Sequence, residues 1–118
     1  MNNAITIFKL LSDETRLRIV MLLQNEELCV CQLTGVLEIS QPKASKALSK
    51  LRDLNLVTDD RQEKFVYYSL NNNHPLMSHI LYYLKDSIAS YPQLQTDYNR
   101  LHLKDTFLTK CSTTQLKV

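Results

Sequence analysis

The stretch that decides the fold is Ser40-Gln41-Pro42-Lys43-Ala44-Ser45-Lys46-Ala47-Leu48-Ser49-Lys50-Leu51. Ser40 is a strong N-cap residue and Pro42 is pre-set for a first helical turn, so a helix is predicted from Gln41 to Asn55. Ala44, Ala47, Leu48, Leu51 and Leu54 recur at three- and four-residue spacing and make one apolar face. The other face carries Gln41, Lys43, Ser45, Lys46, Ser49 and Lys50, with no acid between Lys43 and Arg52. A capped helix with one apolar and one basic face suits a reading head for a phosphate-walled groove.

Upstream, Leu28 to Leu37 reads as a short extended lead-in merging into a helix, with Leu33, Val36 and Leu37 inward. Glu38-Ile39-Ser40 is a brief connector. Two helices joined this way, the second basic, form a helix-turn-helix. Before them, Leu17, Ile19, Val20, Leu22 and Leu23 are apolar nearly all round a helix, which is therefore central. Ser12-Asp13-Glu14 supplies its N-cap and first-turn acids, and Asn3 to Leu11 makes a short amphipathic helix.

Downstream, Leu56-Val57-Thr58 and Phe65 to Leu70 are β-rich runs flanking the polar stretch Asp59 to Lys64, a hairpin that serves as a wing. A last long helix is predicted over Pro75 to Ala89, and the tail beyond Tyr91-Pro92 continues helical to about Leu108. The expected fold is mainly α with a small β-hairpin, a winged helix-turn-helix. Residues 1–90 form the DNA-binding and dimerisation domain, and 91–118 form a partly helical C-terminal tail.

Composition agrees. The chain has 118 residues, 44% of them hydrophobic, which suits one domain with a modest core. Its single Gly argues against a many-stranded sheet and excludes a Gly-rich phosphate loop. The longest apolar run, Ile19 to Leu23, is far short of a membrane span. Three cysteines, an odd number, do not suggest a disulfide framework, so a reduced, cytoplasmic protein without membrane association is expected. No His/Asp/Ser arrangement, metal-hydrolase motif or paired-carboxylate spacing stands out, so neither an enzyme nor an organic cofactor is expected.

A net charge of +2 permits nucleic-acid binding without implying it; the basic cluster says more. Ser40, Gln41, Lys43, Ser45 and Lys46 project from the first turns of the basic helix, where base edges of double-stranded DNA are met. Lys50 and Arg52 are expected on phosphates, and Arg61, Gln62 and Lys64 of the wing on the minor groove or flanking phosphates. Leu76, Ile80, Leu84 and Ile88, with Ile5, Phe8 and Leu11, would leave excess apolar surface on a monomer. Pairing the first and last helices across a two-fold axis in a homodimer buries it.

Four motifs stand in order: Ser12-Asp13-Glu14-Thr15-Arg16-Leu17, Glu27-Leu28-Cys29-Val30-Cys31-Gln32-Leu33, Ser40 to Leu48, and Asp60 to Tyr68. Together, from about Leu10 to Leu70, they resemble the arsenical resistance operon repressor (ArsR) family of bacterial metalloregulators. The resemblance implies a homodimeric repressor that blocks operator DNA until As(III) or Sb(III) binds. The arsenic-sensing members read Cys-Val-Cys-x-x-Cys, whereas Thr34 holds the third position here. The wing turn that usually carries Gly has Glu63. Of the last-helix Asp, His, His and Glu ligands of the zinc-sensing branch, the positions Asn72, His74, Lys85 and Ile88 retain only one.

Soft thiolates select soft, thiophilic ions, which makes Cys29 and Cys31 the ligands for the metalloid inducer. Near a helix start the dipole is expected to lower their thiol pKa. In a regular helix residues i and i+2 point about 200° apart, whereas in an extended segment they share a face. Capture by both sulfurs therefore requires the first turn of the third helix to unwind or stay extended. Cys111, the remaining thiol, is the candidate third ligand, from the same subunit or its partner; a water or small thiol is the other route. The rival readings are a thiol redox switch and a cadmium, lead or zinc sensor on the same fold.

Overall fold

Helix α2 (Glu14–Leu23) is the axle of the molecule: Ile19, Val20, Met21, Leu22 and Leu23 are all buried in succession. A helix apolar on every side must be covered on every side. It touches α1 (Asn2–Leu11), α3 (Val30–Leu37), α4 (Gln41–Asp53), α5 (Pro75–Asp86) and α6 (Pro92–Arg100). The strands are β1 (Leu28–Cys29), β2 (Val57–Gln62) and β3 (Phe65–Leu70), and single 3-10 turns lie at Ile88–Ser90 and Leu101–Leu103. The computed structural model describes residues 2–108.

Helix ends follow local chemistry with small shifts from expectation. Asp13, not Ser12, caps α2, its Oδ2 accepting the Arg16 N–H at 3.0 Å. Ser12 instead donates its hydroxyl to the Lys9 carbonyl at 2.6 Å and closes α1. Ser40 caps α4 as expected, accepting the Lys43 N–H at 3.3 Å. The helix ends at Asp53 rather than Asn55, because Asn55 takes a left-handed φ of 62° that turns the chain into β2. Helix α5 likewise stops at Asp86, short of Ala89.

The sheet is antiparallel in the order β1-β3-β2. Asp59 to Gln62, expected as loop, are strand: pairing runs from Val57↔Leu70 to Gln62↔Phe65. Their polarity suits the exposed face of an edge strand, and the partner strand rather than propensity sets the conformation. Only Glu63 and Lys64 turn the hairpin, with Glu63 at a φ of 57°.

Residues 92–108 do not run as one helix; α6 ends at Arg100 and a 3-10 turn follows. Leu94 and Leu101 nevertheless join the same core as α2. A buried ion pair fixes α6 to α2. Arg18 Nε reaches Asp97 Oδ2 at 2.8 Å and Arg18 Nη2 reaches Oδ1 at 2.9 Å, with side-chain exposures of 12% and 3%. Gln93 Nε2 adds a third donor to Asp97 Oδ1 at 2.9 Å.

Asp97→Ala strands the Arg18 charge in the interior and is expected to cost about 3–5 kcal/mol, read by urea denaturation. Glu63→Gly relieves a left-handed side-chain residue in the turn. It should stabilise by up to about 1 kcal/mol, seen as a higher Tm; no change or a loss would show that the turn is unstrained.

Candidate nucleic-acid interface and thiol pair

The basic helix α4 has two flanks. On one, Gln41 and Ser45 line a cleft of about 230 Å³ with Arg61, Lys64, Val66 and Tyr68 of the wing. This brings together four of the residues expected to meet DNA, and seats the wing cations beside the first turns of the reading helix. Lys43 is exposed in the first turn, and Lys46 and Lys50 lie on the other flank. Ser40 spends its hydroxyl on the cap. Arg52 pairs with Asp59 at 3.3 Å across to β2. Gln62 donates to Glu27 Oε1 and Asp60 Oδ2, both at 3.2 Å, so both side chains are tethered within the protein.

The cleft has an unexpected wall. Val30, the residue between the two sequence-singled cysteines, lines it too. Cys29 is the last residue of β1, the N-cap of α3, and the strand partner of Tyr67 in the wing strand β3. Cys31 follows in the first turn of α3, and both cysteines are buried. Gln32, also buried, reaches back so that its Oε1 accepts the Cys29 N–H at 3.1 Å, while the Cys29 sulfur faces the Gln32 N–H. This is a capping box with a thiol in the place of the usual hydroxyl.

Burial pushes the Cys29 thiol up, although the backbone N–H groups of Gln32, Cys31 and Cys29 itself pull it down less strongly. The expected activation by the helix start is thus overridden: loss of water at the sulfur outweighs the helix-end field. Thr34 donates its hydroxyl to the Cys31 carbonyl at 3.1 Å and is occupied within its own helix. Among the described residues no cluster of three His, Cys, Asp or Glu side chains is placed to hold a metal ion. Cys111 lies outside the described residues. His74, at the zinc-branch position, has Nε2 at 3.3 Å from the Asn55 carbonyl.

The chain after α5 is fastened across α3. Arg100 donates from Nε to the Val36 carbonyl at 2.7 Å and from Nη2 to the Gly35 carbonyl at 2.8 Å. Arg18 Nη2 donates to the Leu37 carbonyl at 2.8 Å. These guanidinium groups satisfy carbonyls that the end of α3 leaves without helical partners. Gln32 Nε2 donates to Asp105 Oδ1 at 3.2 Å. The Phe107 ring fills the space that a side chain on Gly35 would need, which is why the chain's single glycine stands there. The Gln32, Asp105 and Phe107 contacts join residues over seventy positions apart, and periodicity carries no signal for them.

The α1–α5 face is divided. Ile5 and Phe8 are about half exposed, at 49% and 56%, whereas Leu11, Leu76, Ile80, Leu84 and Ile88 are partly buried against the core. The more exposed aromatics of α5 are Tyr82 and Tyr83. Among the described residues no helix is long and apolar enough to cross a membrane.

Residues 13–59 match the family model described as bacterial regulatory protein, arsR family. An arsenic resistance transcriptional regulator of Pseudomonas putida is 42% identical over 100 residues, covering 84% of each chain. The arsenical resistance operon repressor of Escherichia coli is 50% identical over 72 residues, 60% of this chain and 62% of that one. The chain thus spans less than two thirds of the length of some curated relatives it matches. Among solved structures, the transcriptional repressor BigR from Xylella fastidiosa is 29% identical, with a TM-score of 0.65 over 70% of this chain and 83% of that one. These relatives are transcriptional regulators, not enzymes. With the helix-turn-helix, the wing and a relative matched over 84% of its length, this chain belongs to the bacterial ArsR family.

Proposed function

We propose that this protein is a repressor that binds double-stranded operator DNA as a homodimer and releases it when Cys29 and Cys31 capture As(III) or Sb(III). One observation carries the reading: the segment 29–31 is shared between the thiol pair and the DNA cleft. Cys29 is paired with Tyr67 of the wing, and Val30 lines the same cleft as Gln41 and Ser45. Two sulfurs at i and i+2 cannot grip one ion from a helix, so joint capture draws Val30 and Cys31 out of the first turn of α3. That shift alters the cleft wall and strains the β1–β3 pairing at once. A coupling of about 1–3 kcal/mol suffices for an allosteric switch.

The donor set favours a thiophilic guest. In the reduced protein Cys29 and Cys31 supply soft sulfur donors, and among the described residues there is no imidazole or carboxylate cluster. Cys111 is proposed as the third ligand, from the same subunit or its partner. Phe107, four positions before Cys111 in the sequence, packs on α3 one turn from Cys31. Ser40 acts as the cap of the reading head. Gln41, Lys43, Ser45 and Lys46 meet bases or adjacent phosphates, and Lys50, Arg52, Arg61, Gln62 and Lys64 flank them. The dimer forms through α1 and α5, where Tyr82 and Tyr83 join Ile5, Phe8 and Leu11 and the Leu76–Ile80–Leu84–Ile88 stripe in covering apolar surface across a two-fold axis. Such pairing spaces two reading heads about one DNA turn apart.

The test is DNA release, followed by fluorescence anisotropy under full reduction, on a duplex enriched from a random library by the wild-type protein. Arsenite should release wild type, leave Cys29→Ser and Cys31→Ser bound, and release Cys111→Ser only at a concentration roughly tenfold higher or more. Release of the Cys29→Ser/Cys31→Ser double variant by arsenite overturns the reading. Release by oxidant alone identifies a redox switch instead, and release by cadmium but not arsenite a divalent-metal sensor.

Because burial raises the Cys29 thiol, the sulfur is protonated at neutral pH and its reactivity grows as pH rises past the ordinary thiol range near about 8.5. In a Cys31→Ser/Cys111→Ser background, iodoacetamide should alkylate Cys29 ever faster up to pH 10. A rate already level at pH 7 would mark an activated thiolate.

A further inference from the structure

Arg16 takes part in neither the wing cleft nor the thiol site. On the flank of α4 away from the wing, Lys46 stands three and four residues before Ser49 and Lys50, and Asp53 four and three after them. With Arg16 of α2 they line an open cleft of about 480 Å³. Three cations face one carboxylate there. Among the described residues none of Arg16, Lys46 and Lys50 has a carboxylate within ion-pair distance. Arg16 donates its Nε–H to the Leu10 carbonyl at 2.9 Å, which fixes its stem and leaves its two terminal amino groups as donors.

An α-helix with its side chains is about 10–12 Å across and the major groove is about 12 Å wide, so a reading helix meets both groove walls. The wing flank of α4 serves one wall. We propose that the Arg16 cleft receives a backbone phosphate of the other strand, with Arg16 as the anchor and Lys46 and Lys50 beside it. The inference rests on the DNA-binding reading above and adds a contact from α2, outside the helix-turn-helix and wing. Held between two strands at once, α4 gains a fixed depth and register in the groove, which phosphate contacts provide without reading sequence.

The test compares wild type, Arg16→Gln, Ser49→Glu and Lys9→Gln on the library-enriched duplex and on a random-sequence 30-bp duplex, over a salt series. Arg16→Gln should weaken binding to both duplexes by the same factor, about fivefold per protomer at 0.15 M salt. It should also reduce the salt slope by about 0.9 per protomer. Ser49→Glu, an exposed position with an acid introduced beside the cations, should weaken both duplexes likewise. Lys9→Gln, which removes a charge from α1, should leave affinity and slope unchanged. Should Arg16→Gln fail to fold, as judged by circular dichroism, Ser49→Glu decides. Normal wild-type binding with an unaltered slope in the cleft variants overturns this proposal alone, as does a loss confined to the enriched duplex or an equal loss in Lys9→Gln. Wild-type protein that binds neither duplex overturns the repressor reading and this one with it.

Discussion

The backbone between Cys29 and Cys31 changes from strand to helix within one residue, and much of the functional geometry depends on that change being held. Cys29 sits at a φ of −92° and ψ of 170°, extended, paired to Tyr67 in the wing. Val30 already opens α3. The Gln32 amide bridges the junction, accepting the Cys29 N–H with one end and donating to Asp105 with the other. A buried amide with both ends engaged is rigid and specific; one with an end left unmade costs about 1–3 kcal/mol. The junction is therefore firm at rest and expensive to half-disrupt, which suits an element with two discrete arrangements.

At this junction two opposing effects act on the Cys29 sulfur. A helix start favours thiolate, yet burial wins at Cys29 and keeps the sulfur protonated at rest. A dry, neutral thiol packs as a small apolar side chain, so the core tolerates it. The same burial means that any ligand held by it must disturb packed neighbours, and those neighbours include the wing strand. Burial of Cys29 and its pairing with the wing strand thus meet in one junction.

The segment after α5 supplies the opposing constraint. Arg18 and Arg100 hold the last carbonyls of α3, Asp97 anchors Arg18, and Phe107 rests on Gly35. The C-terminal end of α3 is thus pinned by side chains, as its N-terminal turn is held by Gln32. Asp97 is buried and Arg18 nearly so, so salt screens that ion pair little.

The reading helix, its cap, its apolar face, the central α2 and the wing hairpin were all legible in the sequence, because each follows from local periodicity and end chemistry. So was the transition from extended to helical around Cys29 and Cys31. The cap at Asp13, the strand character of Asp59 to Gln62 and the end of α4 at Asp53 were not. The first follows from Ser12 being used to close α1, the second from the partner strand and the third from the left-handed Asn55. Tertiary structure alone decided that Val30 shares a cleft with Gln41 and Ser45, that Arg16 faces the lysines of α4, and that Asp105 and Phe107 brace α3. It alone set the protonation of Cys29. Those are matters of which distant surfaces meet and how much water they exclude, and no periodicity along a chain encodes either.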